Sequence, residues 1–105
     1  INDWHYERAD PTAAIFAAKG FRVATCPWRL STVALAHLQQ TLRFRETATP
    51  AMKDRYLGMI HTIWTSNSNF LDLYYGVKNN EDPNGDQVGC FKALFEEIRK
   101  LKKSN

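Results

Sequence analysis

Three tryptophans in this chain each stand directly ahead of polar side chains, in Trp4-His5-Tyr6-Glu7, Trp28-Arg29 and Trp64-Thr65-Ser66-Asn67. An indole face stacks on the axial C–H groups of a pyranose ring, while the ring hydroxyls need carboxylate, imidazole, guanidinium or amide partners. Both halves of that chemistry recur here. Trp4, His5, Tyr6, Glu7, Trp28, Arg29 and Trp64 are therefore candidate substrate-binding residues. A plainer reading has each indole capping a hydrophobic core, since Trp is large and seldom fully buried. Recurrence at three equivalent positions favours a shared pocket.

Asp3 and Glu7 are the acidic residues beside the first tryptophan, and a glycosidase generally needs two carboxylates, or one acid with substrate assistance. Glu7 is the single, weak catalytic candidate; an exposed ion pair with Arg8 is its competing role. Asp3 alternates with Trp4, and its alternative place is inside a barrel lumen at the upper layer, there to bond substrate or a neighbouring strand. His5 is placed to orient a carboxylate or meet a hydroxyl, whereas His37 and His61 read as structural. Arg29 either anchors substrate or bridges loops. Cys26 and Cys90 are expected to be buried thiols, with a mouth-facing nucleophilic Cys26 the less favoured alternative. No phosphate-cradling glycine loop, paired cysteines or His-x-x-x-His cluster occurs, so neither cofactor nor metal is expected.

For these residues to converge, each group must sit at the carboxyl end of a parallel strand, because in α/β folds those ends open on one side. The pattern supplies strands near residues 1–6, 21–26 and 57–64. The third is almost continuously apolar, which predicts burial on both faces. Between them, Asp10 and Pro11 start a helix that Gly20 stops. Ser31 or Thr32 caps a second, whose Leu35, Leu38 and Leu42 predict a stripe against the sheet. A short helical turn near 51–55, a short helix over 70–75, a loop over 78–86 and a final amphipathic helix near 86–103 complete the series. The expected fold class is α/β, three successive βα units. They form either a small open sheet of flavodoxin-like layout or the C-terminal part of a TIM (β/α)8 barrel, which takes roughly 250 residues.

The net charge of +3 and pI near 9.0 raise the question of a nucleic-acid partner. Arg99, Lys100, Lys102 and Lys103, however, gather at the end of the final helix, where cations meet the negative end of the helix dipole. Aromatic residues do not interleave with them, so no nucleic-acid partner is expected. No membrane partner is expected either, since no apolar run approaches the roughly 20 residues of a membrane span. Strand-like sequence begins at Ile1 with no lead-in, which sets the expectation of a chain cut from a longer fold.

Asp3-Trp4-His5-Tyr6-Glu7-Arg8-Ala9-Asp10, Lys19-Gly20-Phe21, Thr25-Cys26-Pro27-Trp28-Arg29 and Ile63-Trp64 through Tyr74-Tyr75-Gly76 carry a family likeness. Over residues 1–76 the chain resembles the C-terminal part of bacterial barrel proteins related to glycoside hydrolase family 20, the β-N-acetylhexosaminidases. The resemblance implies that the three strands are the sixth, seventh and eighth of a barrel and that 86–103 closes it. It also implies a retaining, substrate-assisted hydrolase whose Asp-Glu pair lies on the fourth strand, outside this chain. What carries over is the pocket wall, with Trp64 as floor or side of a sugar subsite and Trp28 as a second wall. Ser66 stands where the family commonly has a hydroxyl-binding Glu, and so joins the candidates. The expected function is that of a glycoside-hydrolase fragment supplying an aromatic sugar-binding wall and inactive alone. A non-catalytic carbohydrate-binding relative and a free-standing α/β interaction domain are the alternatives. The expected partners are a carbohydrate, the remainder of the barrel and, through exposed strand edges, a second copy.

Overall fold

The structure is a computed structural model and describes residues 1–104. Strands and helices alternate as β1 (Asn2–Trp4), α1 (Thr12–Ala18), β2 (Val23–Cys26), α2 (Ser31–Thr47), α3 (Pro50–Lys53), β3 (Tyr56–Met59), α4 (Asn67–Tyr74) and α5 (Gln87–Ser104). The three strands form one parallel sheet in the order β1-β2-β3, so the chain is mixed α/β. All three strands are shorter than the sequence suggests. The segment after β3 still follows β2, since the Ile60 amide donates to the Thr25 carbonyl (2.9 Å) and the Thr62 amide to that of Pro27 (2.9 Å). Pro27 has no amide with which to answer, so the ladder thins where apolar sequence alone would continue it.

One face of the sheet carries the helices. Val23 and its register partner Tyr56 pack with Ala13 and Ala17 of α1 and with Phe44 and Ala48 from α2 and its end. Two residues further along β2 and three along β3, Met59, the register partner of Thr25, packs on Ala34 and Leu38 of α2 and on Cys90 and Leu94 of α5. Side chains of a strand alternate between faces, so Val23, Thr25, Tyr56 and Met59 share the covered face. Leu57 and Ile60 fall outside it, 59% and 47% exposed. The expectation that the third strand is buried on both faces therefore fails: β3 is an edge strand with helices on one side only.

The helix starts divide similarly. At α1 the N-cap position falls on Pro11, which makes no side-chain cap bond, and the expected cap Asp10 stands one residue earlier, accepting the Thr12 amide through Oδ1 at 3.2 Å. At α2 the expected Ser31 or Thr32 cap is replaced by Leu30, with no side-chain bond to the free amides. The packed side of α2 comprises Val33, Ala34, His37, Leu38 and Thr41, while Leu42 is exposed, which rotates the predicted leucine stripe. Ala34 and Leu38 on that side pack with Cys90 and Leu94 of α5. At Gly58 the backbone takes φ +126° beside a register shift opposite Val23 and Ala24, a conformation glycine adopts without strain. No helix among the described residues is long and apolar enough to cross a membrane.

Candidate functional site

Beyond the carboxyl ends of the strands, the exit loops of β1, β2 and β3 meet. Trp4 and Trp64 contact edge to face, with ring centroids 6.0 Å apart at 82°, and stay 56% and 57% exposed. Tyr6 stacks on Trp4 at 6.5 Å and meets Trp28 edge-on at 5.4 Å. The Trp64 indole donates to the Tyr6 hydroxyl at 3.1 Å. The two exposed indoles thus form a right-angled corner backed by Tyr6 and Trp28. Edge-to-face packing suits the ring quadrupoles and holds the corner's shape in advance of any ligand.

Gln87, the first residue of α5, ties this corner together. Its Oε1 accepts the Trp28 indole N–H (3.2 Å) and the Trp64 backbone amide (3.2 Å). No signal short of the tertiary fold marked Gln87, since it lies 59 residues from Trp28. Arg29 stacks its guanidinium on Trp28 at 4.0 Å and reaches Glu7 Oε1 (3.7 Å) and Asp82 Oδ2 (3.5 Å). Gly85 lies against it, so close that an added Cβ would stand 2.6 Å from Arg29 Cγ. Of the two roles open to Arg29, the structure displays the loop bridge. Glu7 pairs with Arg29 and not with Arg8, which pairs with Asp10 (3.5 Å), and its side chain is 73% exposed.

Asp3 departs from its expected place. It faces the helices, buried, where Oδ2 accepts the Thr12 hydroxyl (2.7 Å) and Oδ1 lies 3.0 Å from His5 Nε2. Thr12 Oγ1 is also 2.8 Å from that nitrogen. With the Thr12 proton given to the carboxylate, His5 Nε2 is the donor to both oxygens, which leaves Nδ1 without a protein partner among the described residues. His37 of α2 completes the support: its Nε2 donates to the His5 carbonyl at 2.8 Å and its buried Nδ1 has no partner. Thr12 and His37 thereby brace the β1 exit, a part the sequence did not assign to either.

Ser66 serves as N-cap of α4, accepting the Asn69 amide at 3.2 Å. Phe70 and Tyr74 of that helix pack against Phe91 of α5, which also meets the His61 ring edge-on at 5.5 Å. His61 lies past β3; both its ring nitrogens are buried and unpartnered, and burial pushes its pKa below the ordinary 6.5. The nearby Trp28 backbone opposes that shift without completing a hydrogen bond.

The cysteines offer no nucleophile. Burial, then the charge of Asp3, raises the Cys26 thiol, and burial pushes Cys90 to about 11. Thiols held protonated are poor nucleophiles. Among the described residues no group of three or more His, Cys, Asp or Glu gathers as metal ligands. The arrangement can stack an apolar ring face and bond its rim, but among the described residues it aligns no pair of carboxylates across a bond. A scan against protein-family models and a search of curated proteins found no match to this chain.

Proposed function

We propose that this chain supplies the aromatic sugar-binding wall of a carbohydrate-active site of the N-acetylhexosaminidase type, its three βα units belonging to a (β/α)8 barrel. The observation that carries the reading is the Trp4–Trp64 corner, two half-exposed indoles at right angles beside the carboxyl ends of parallel strands. One indole accepts the C–H face of a pyranose, and the other closes its side. The Trp28 and Trp64 indole N–H groups are already bonded, whereas that of Trp4 has no partner among the described residues and remains for a hydroxyl or acetamido oxygen. A sequential strand order with helices on one face agrees with a barrel segment, whose other face lines the lumen. Neither Asp3, buried towards α1, nor Glu7, held by Arg29, is set to cleave a bond, so hydrolysis belongs to carboxylates on other strands of the barrel.

The test is a 15N-edited NMR titration of the chain with N-acetylglucosamine. The expected result is movement of the Trp4 and Trp64 indole N–H signals with a millimolar Kd, abolished in Trp64→Ala. No indole movement at tens of millimolar sugar would sink the proposal. Release of p-nitrophenol from its N-acetylglucosaminide by this chain alone would overturn the assignment of hydrolysis to other strands.

A further inference from the structure

We infer that the polar cleft between α4, residues 78–82 and the start of α5 is a second sugar subsite, holding a neutral unit linked to the one on the aromatic corner. This rests on the sugar-binding reading and extends its ligand to an oligosaccharide. The cleft has a volume of about 590 Å³, well inside the roughly 300–1,000 Å³ typical of ligand sites. Its wall is rich in side-chain amides, from Asn69, Asn79, Asn80 and Gln87.

Two of these amides stiffen the wall. Asn69 donates to Thr65 Oγ1 (2.8 Å) and accepts from Lys78 (3.5 Å), and Asn80 donates to the Gly85 carbonyl (2.9 Å) and accepts from the Asp82 amide (3.3 Å). The Asn79 amide, the Glu81 carboxylate and the Gln87 Nε2 have no protein partner among the described residues. Together they offer donors and acceptors side by side, which is what vicinal hydroxyls, each both donor and acceptor, require.

Charge narrows the ligand. Lys78 is countered by Asp72 (3.7 Å) and Asp82 by Arg29 (3.5 Å), which leaves Glu81 as the uncompensated charge of the wall. A uronate, sulfated or phosphorylated unit is repelled there; a neutral one is not. The cleft and the corner also share a partition. Gln87 lines the cleft while its Oε1 holds Trp28 and Trp64, and Arg29 joins Trp28 to Asp82 of the cleft. The cleft and the corner are therefore neighbours, which is the adjacency that a linked pair of sugars needs.

Calorimetric titration with N-acetylglucosamine and with its β-1,4-linked trimer tests this, using the chain and an Asn79→Ala/Glu81→Ala variant. Both substituted residues are exposed, and unchanged indole signals confirm that the variant keeps its fold. The trimer should bind at least about tenfold tighter than the monomer. The variant should lose that gain and keep the monomer affinity. Equal affinities for trimer and monomer, or a gain that survives in the variant, would overturn the subsite while leaving the corner intact. A monomer that moves no indole signal removes both readings.

Discussion

Asp3 illustrates how little a residue type reveals before its direction is known. As a carboxylate beside Trp4 it has the chemistry of a catalytic acid, yet it spends both oxygens on Thr12 and His5. Asp3→Ala leaves the Thr12 hydroxyl without its acceptor and the His5 Nε2–H with Thr12 Oγ1 alone, and should cost about 1–3 kcal/mol in urea unfolding. Equal stability of variant and parent would show that this network does not brace the β1 exit. His61 makes a separate prediction. Its folded pKa lies below 6.5, so the unfolded chain takes up a proton that the folded state resists. Stability should be constant with respect to this group above about pH 6.5 and fall as the pH drops below it. His61→Phe, which keeps the ring contact with Phe91, should flatten the slope of unfolding free energy between about pH 6.5 and 5. An unchanged slope would assign the acid sensitivity to other groups.

At the scale of elements, β3 decides the geometry of the site. Its glycine at φ +126° takes up the extra residue opposite Val23 and Ala24, returning Met59 to the helix-covered face. Space for a methyl group exists at Gly58, so the penalty of Gly58→Ala is conformational and should be about 1–3 kcal/mol. Thermal melts would measure it, and a melting temperature equal to the parent's would argue against a backbone requirement there. The same elements show which features the sequence made legible. Pro27 ends β2 and Gly20 ends α1 by local chemistry, so both limits were readable. The register shift at Gly58 and the rotation of α2 depend on what packs opposite, and no local pattern carries that.

For the whole molecule, helices on one face leave Leu57 and Ile60 exposed on the other, where Ala24 and Cys26 of the central strand are nonetheless buried, and among the described residues the outer edges of β1 and β3 are unpaired. Exposed apolar surface and free strand edges favour association. The chain should self-associate in sedimentation velocity as its concentration rises, and Leu57→Lys/Ile60→Lys should reduce that association while changing unfolding free energy by less than about 1 kcal/mol, since neither side chain sits in the core. A monomer at all concentrations would show that the open face is not a contact surface for a second copy.

Local signals, then, determined the succession of strands and helices, while of the three tryptophans expected at strand ends Trp4 ends β1, and Trp28 and Trp64 stand two and five residues past β2 and β3. Periodicity, caps and breakers act over a few residues, and parallel strands open on one side by topology alone. Only the tertiary structure decided that Asp3 turns to α1, that Gln87 binds two of the three exit loops, and that Trp4 and Trp64 meet at a right angle. Those facts depend on contacts between residues 23 to 60 positions apart, or on which face of a short strand the helices cover. Sequence spacing encodes neither.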